Sequence, residues 1–159
     1  MDKLWAPWRI KYIQKKKRKN CIFCRAIKFS IRNYVISKSR YSFSMLNIFP
    51  YNNGHVMVSP IRHIRQFSQL KETEILDLFK TLNKTKKLLD KVLKPDGYNI
   101  GVNISKSAGA GETRHLHIHL LPRWIGDTNF MPTLANTKVI SQSLGELYKR
   151  LRYAKSQKT

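Results

Sequence analysis

Between positions 115 and 121 the chain reads His115-Leu116-His117-Ile118-His119-Leu120-Leu121, three imidazoles alternating with aliphatic side chains. On a helix, His115 and His119 would share a face and His117 would point away. On a strand all three histidines share one face, and Leu116, Ile118 and Leu120 pack behind them. The stretch 115–121 is therefore expected to be a strand laid over a core and ended by Pro122. Same-face neighbours on a strand stand roughly 6.6–6.8 Å apart, so the outer two α-carbons lie about 13 Å apart. One metal ion could bind two neighbouring imidazoles and hardly all three, which points to divided labour among the histidines.

Just upstream, Lys106-Ser107-Ala108-Gly109-Ala110-Gly111 is a run of small residues. Such a loop lets backbone N–H groups approach an anion, which makes Gly109 and Gly111 candidate phosphate-binding positions. A neutral imidazole, with an unperturbed pKa near ~6.5, is a nucleophile beside a phosphate, and the phosphoramidate it forms is readily cleaved by a second acceptor. The expected chemistry is nucleotidyl or phosphoryl transfer through a covalent histidine intermediate.

Further strands are expected at Tyr34–Ser37, Ser42–Leu46, His55–Ser59 and Asn99–Asn103 from their alternation. Helical spacing of Ile75, Leu78, Phe79, Leu82, Leu89 and Val92 predicts a long amphipathic helix stopped by Lys94-Pro95-Asp96-Gly97. A second helix is expected over Val139–Tyr153, with Ile140, Leu144, Leu147 and Leu151 on one side and Asn136 or Thr137 as cap. The links Tyr51-Asn52-Asn53-Gly54 and 106–111 read as tight turns between antiparallel strands. Five strands and two helices in 159 residues make a single α+β domain, with a basic segment at about 11–20 and a basic tail at about 149–159.

No run of about 18 apolar residues is present, and the first residues carry an acid at Asp2 and no apolar stretch before Pro7. A soluble chain without a secretory leader, working in the cytoplasm and not in a membrane, is expected. The charge needs a partner: 31 Lys and Arg against 9 Asp and Glu leave +22, beyond what solubility requires. Residues 1–40 alone hold 13 basic residues and one acid, centred on Lys15-Lys16-Lys17-Arg18-Lys19. A solvated face, contact with nucleic acid and steering of a polyphosphate are all compatible with it. The two cysteines, Cys21 and Cys24, would close too small a loop for a useful disulfide, so metal or redox use is the better expectation.

The run from His115 to Leu121 resembles the signature of the histidine-triad (HIT) family, His-φ-His-φ-His-φ-φ with φ apolar. Pro122-Arg123-Trp124, Gly126-Asp127-Thr128-Asn129-Phe130-Met131-Pro132 and Leu4-Trp5-Ala6-Pro7-Trp8-Arg9 are similar to the branch holding the fragile-histidine-triad and diadenosine tetraphosphate phosphorylase proteins. The resemblance implies a five-stranded antiparallel sheet with two helices, doubled into a homodimer. It implies that His117 attacks the α-phosphorus of a dinucleoside polyphosphate such as diadenosine tri- or tetraphosphate, that His119 hydrogen-bonds the phosphate or bridging oxygen, and that His115 supports the site. Asn103 matches a phosphate-contacting asparagine, Asn47 a residue holding the ribose hydroxyls, and His55 the histidine before the third strand, which the resemblance also places among the nucleotide- and phosphate-binding residues. Bacterial relatives also imply a structural zinc, here at Cys21, Cys24, His63 and His115. Gly111 stands where fragile-type hydrolases often carry glutamine, which leaves water and inorganic phosphate both open as acceptor. A nucleoside phosphoramidate hydrolase is a rival with the same histidine chemistry. A nucleic-acid-binding protein using the 15–19 arm, with a silent triad, is a rival of a different class.

Overall fold

The computed structural model describes residues 21–128 and 140–157. Three α-helices, α1 (Ile22–Lys28), α2 (Glu72–Leu93) and α3 (Leu144–Ser156), accompany five strands: β1 (Val35–Lys38), β2 (Ser42–Leu46), β3 (Val56–Pro60), β4 (Gly97–Gly101) and β5 (Ile118–Arg123). The strands form one antiparallel sheet in the order β1-β2-β3-β5-β4.

The two faces of this sheet have separate cores because the strands alternate. Ile36, Leu46, Val56, Val58, Ile118 and Leu120 turn one way, onto Leu78, Leu82 and Leu89 of α2 and Leu147 and Leu151 of α3. Val35, Phe43, Met45 and Met57 turn the other way, where Phe23 and Ala26 of α1 cover them. His119 is paired with Met57, so its side chain belongs to the α1 face, behind which Ile118 and Leu120 fill the other core.

Strand β5 is shifted from its expected place. The ladder begins at Ile118, with His115, Leu116 and His117 in the approach to it, and continues past Leu121 to Arg123. Pro60, next in register with Leu116, has no N–H, and the Leu116 carbonyl takes the Ser59 hydroxyl at 2.8 Å instead while its N–H donates to Ile64 O at 2.7 Å. Pro122 does not end the strand, because it lies beyond the last β3 pair. Its carbonyl accepts from Asn52 Nδ2 at 3.1 Å, so its polar edge is turned away from β4, where a missing N–H breaks no ladder bond.

The other boundaries move by one to a few residues. Strand β1 starts at Val35, after Tyr34 in the left-handed region at φ 57°, and β4 starts at Gly97, two residues earlier than expected. Helix α2 ends where expected, with Lys94 at φ 47°. Its buried row is Leu78, Leu82 and Leu89, joined by Glu74, Thr81 and Thr85, while Ile75 and Phe79 of the expected stripe face outward at 40% and 55% exposure. Helix α3 begins at Leu144, capped by Ser143, whose Oγ accepts from Glu146 N. The caps expected at Asn136 and Thr137 lie outside the described residues. The segment 102–117 between β4 and β5 is a long loop and not a tight turn, stitched by Gly109 N–H to Lys106 O and Ala110 N–H to Ser105 O.

Candidate active site and metal cluster

Three imidazoles, those of His55, His117 and His119, meet on the α1 face, positioned from two directions. The turn 51–54 delivers His55 to the start of β3, and this turn requires glycine at its last position. Gly54 has φ +73°, and a Cβ there would stand 2.5 Å from Leu93 Cδ1 and 3.0 Å from Pro122 Cγ. His55 is 1% exposed, and its Nδ1 accepts from the Tyr51 N–H at 3.1 Å and from Asn47 Nδ2 at 3.3 Å. The Asn47 amide is oriented by Phe49 N–H donating to its Oδ1 at 2.9 Å, so its NH₂ end must face the imidazole.

Those donors decide the tautomers. With Nδ1 of His55 accepting, its proton resides on Nε2, which donates to His119 Nδ1 at 2.8 Å. His119 Nδ1 thus accepts, and its own proton is carried on Nε2. Burial, followed by the nearby His119 and His117, pushes the His55 imidazole down to about 3. Burial, followed by His117, pushes His119 down to about 4. Both rings are neutral at physiological pH, and the relay is set by hydrogen bonds between neutral groups.

His117 has the complementary arrangement. Its Nδ1–H donates to the His115 carbonyl at 2.8 Å, so the lone pair is on Nε2. The ring is 4% exposed, tilted 35° against Phe23 at 4.8 Å between centroids, and 4.9 Å from the His119 ring. Burial also lowers its pKa. One imidazole with an open lone pair thus adjoins another with an N–H to donate, which pairs a nucleophile with a hydrogen-bond donor for a developing oxyanion.

The other predicted positions divide. Asn103 lies two residues past Gly101, the partner of His119 and the last residue of the β4–β5 ladder, so extending the register by two residues would bring it level with His117. Asn47 sits beneath His55 and spends its amide on holding it. Gly109 supplies a left-handed turn at φ +85°, but its N–H is committed to Lys106 O at 2.9 Å and is not free to cradle an anion. Gly111 follows in the same loop, and Glu112 beyond it pairs with Arg114 at 3.0 Å and accepts from the Ile22 N–H, tying the loop to the first turn of α1.

His115 turns away from this pair into a cluster with Cys21, Cys24 and His63, whose ligand atoms all lie within 4.8 Å of one another. Cys21 Sγ is 3.3 Å and Cys24 Sγ 3.7 Å from His115 Nδ1, and Cys24 Sγ is 3.2 Å from His63 Nδ1. Tetrahedral zinc, with Zn–S of about 2.3 Å and Zn–N of about 2.0–2.1 Å, spaces its donors by roughly 3.3–3.8 Å, which these residues fit. The His115 Nε2–H donates to Pro60 O at 2.9 Å, leaving Nδ1 as the lone-pair nitrogen that faces the thiols. Burial, with the adjoining Cys24, pushes the Cys21 thiol up to about 11, so a cation is needed to hold it as thiolate. The cluster can hold a metal ion, and both cysteines are free of disulfide.

Residues that the sequence did not single out complete the site. Phe23, between the two cysteines and 0% exposed, touches the rings of both His117 and His115. Tyr51 covers His55 at 4.6 Å and stacks on His119 at 5.8 Å. Phe23 had one signal, its position inside Cys21-Ile22-Phe23-Cys24, and Tyr51 had only its place in a turn.

Comparison with known proteins identifies the family. The pattern described as HIT domain matches residues 28–124. An AP-4-A phosphorylase from Mycobacterium tuberculosis is 32% identical over 154 residues, covering 91% of this chain and 79% of that protein. An adenosine 5'-monophosphoramidase from Saccharomyces cerevisiae is 29% identical over 131 residues, covering 82% of this chain and 80% of that one. The crystal structure of a hypothetical histidine triad nucleotide-binding protein from Sulfolobus tokodaii superposes with a TM-score of 0.67 at 26% identity, over 84% of this chain and 88% of that one. With the five-stranded sheet, the alternating histidines and this match to more than half its length, the chain belongs to the HIT family.

Proposed function

We propose that this protein is an enzyme that cleaves dinucleoside polyphosphates, such as diadenosine tetraphosphate, through an adenylyl-His117 intermediate. The observation that carries this reading is the His117 Nδ1–H bond to the His115 carbonyl, which leaves the Nε2 lone pair available beside His119. His117 Nε2 attacks the α-phosphorus, forming a P–N bond, and the bond from that phosphorus to the bridging oxygen breaks. The departing oxygen leaves as the polyphosphate anion, its charge stabilised by a hydrogen bond from His119 Nε2–H, and His55 holds His119 in the tautomer that can donate it. A second acceptor, water or inorganic phosphate, then attacks phosphorus and releases its proton to solvent, and the P–N bond breaks to free neutral His117. Asn103 and the Gly111 end of the loop contact the phosphates, and the ribose lies toward Asn47.

The acceptor is read from products. ADP plus ATP from diadenosine tetraphosphate only when inorganic phosphate is present identifies a phosphorylase, as the mycobacterial relative is named. AMP plus ATP without phosphate identifies a hydrolase. No turnover in either condition, or undiminished turnover in His117→Ala, refutes the reading. Turnover of adenosine phosphoramidate alone would favour the second reading, supported by the yeast relative's name, in which the same histidine releases an amine.

Cys21, Cys24, His63 and His115 hold a structural zinc, which when bound neutralises two thiolates and joins α1 to the approach to β5. Thiols reserved for a metal suit a reducing compartment such as the cytoplasm. Stoichiometric zinc in purified protein is expected, and its absence would remove this part of the reading. The protein works as a homodimer: Tyr148 and Lys155 of α3 donate to Val35 and Ile36 carbonyls on β1, whereas β4 is the other edge, with Ile100 53% exposed and Ile75 and Phe79 exposed on α2. Sedimentation at the monomer mass would contradict it.

A further inference from the structure

The acids of this chain are spent on its own architecture. Of nine Asp and Glu, Asp2 lies outside the described residues. Glu74, Asp90, Glu112 and Asp127 pair with Arg62, Lys86, Arg114 and Arg123. Asp77 accepts from Ser39, Ser42 and the Tyr41 N–H, and Asp96 from the Ile125 N–H. Glu72 and Glu146 occupy first turns of α2 and α3, where helix N–H groups favour a negative charge.

Among the described residues, one ordered part of the remaining basic charge lies on α2. Lys80, Lys84, Lys87 and Lys91 are all exposed, and none belongs to an ion pair among the described residues. Their spacing of four, three and four puts them within about 60° of arc at 3.6 residues per turn, on the side turned away from Leu78, Leu82 and Leu89. At a rise of 1.5 Å per residue the row runs for roughly 16 Å. Helix α3, on the same face of the sheet, adds exposed Lys149 and Arg152. Ile75 and Phe79 point to a different sector of α2, so an apolar contact through them leaves the lysine row open.

The row cannot serve the histidines. Helix α2 covers the face formed by Ile118 and Leu120, and His119 projects from the opposite face, so no phosphate held by His117 reaches these lysines. The geometry points to a second binding surface, the outer face of α2, for the phosphate backbone of double-stranded nucleic acid. A duplex presents about one charge per 1.7 Å of axis, the densest linear anion such a row can meet. The row carries four point charges and no aromatic ring, so it has no platform for stacking bases, which single strands require. Binding is therefore independent of base sequence, in addition to the cleavage reaction.

The test is fluorescence anisotropy of a mixed-sequence DNA duplex against salt concentration, for the native chain and for Lys80→Gln/Lys84→Gln/Lys87→Gln/Lys91→Gln. Gln keeps helix propensity, and unchanged dinucleotide turnover confirms an intact fold. At about 0.9 per phosphate contact, four lost contacts flatten the slope of log K against log salt by about 3.6 and lower affinity at low salt more than tenfold. His117→Ala is expected to abolish turnover and leave duplex affinity unchanged, so the two activities fail separately. The inference is overturned if the native chain does not bind duplex, if the two slopes coincide, if a single strand of equal length binds more tightly, or if only anionic phosphatidylserine vesicles respond to the substitutions.

Discussion

Replacing His55 by Phe keeps a ring of similar size in a fully buried position and removes both of its polar roles. The Nε2–H bond to His119 Nδ1 at 2.8 Å is lost, so His119 is no longer held with its proton on Nε2. A hydrogen bond between neutral groups contributes about 0.5–1.5 kcal/mol net, which corresponds to roughly a 2- to 13-fold preference for the competent tautomer. If His55 acts only through His119, kcat should fall by about that factor with KM nearly constant. Removing the hydrogen-bond donor itself with His119→Ala should cost far more, about 10²- to 10³-fold. Stability should also drop by about 1–3 kcal/mol, since the Tyr51 N–H and Asn47 Nδ2 lose their acceptor. Steady-state kinetics and urea unfolding on both variants separate these effects. An unchanged kcat in His55→Phe would refute the relay, and a loss equal to that of His119→Ala would mean that His55 acts on the substrate directly.

Three further outcomes follow from the same structure. Gly54→Ala places a Cβ 2.5 Å from Leu93 Cδ1 at φ +73°, so overpacking and backbone strain should cost about 2–4 kcal/mol in urea melts and reduce turnover through the displaced His55. Phe23→Ala should cost about 3–5 kcal/mol as a fully buried ring, and Phe23→Leu, less disruptive, should still lower kcat because His117 loses the ring against it. The Arg62 guanidinium, hydrogen-bonded to Glu74, holds that carboxyl down at about 2 against an ordinary 4.5. The folded state therefore gains stability from Glu74 above about pH 4.5 and loses it as pH falls toward 2. Glu74→Gln, which can keep the cap to the Lys71 N–H, should flatten thermal stability across that window, and an identical acid limb in both proteins would contradict the assignment.

The alternation of His115 to Leu120 was readable because a half-buried strand imposes period two, and the two-faced sheet honours it at Ile118, His119 and Leu120. Where the ladder begins was not readable, since it depends on Pro60 of another strand failing to offer an N–H. Strand spacing predicted divided labour among the histidines. The orientation of their rings depends on two carbonyls, Pro60 O for His115 and His115 O for His117, and backbone acceptors leave no trace in side-chain identity. Helix α1 was missed because its seven residues are too few to display a period, and its single turn of apolar contact is made by Phe23 and Ala26. The outward positions of Ile75 and Phe79 contradict the expected stripe for another reason: helical spacing reveals an apolar sector, but not which part of it the sheet covers.

The most direct test of the mechanism is to mix the protein with diadenosine tetraphosphate in the absence of inorganic phosphate, quench in alkali within the first turnover to preserve a P–N bond, and locate the adduct by mass spectrometry. One adenylyl group on His117, absent in His117→Ala and slowed to form in His119→Ala, is the predicted result. An adduct on another residue, or continued turnover with no adduct at any time, would contradict the assignment of His117 as nucleophile.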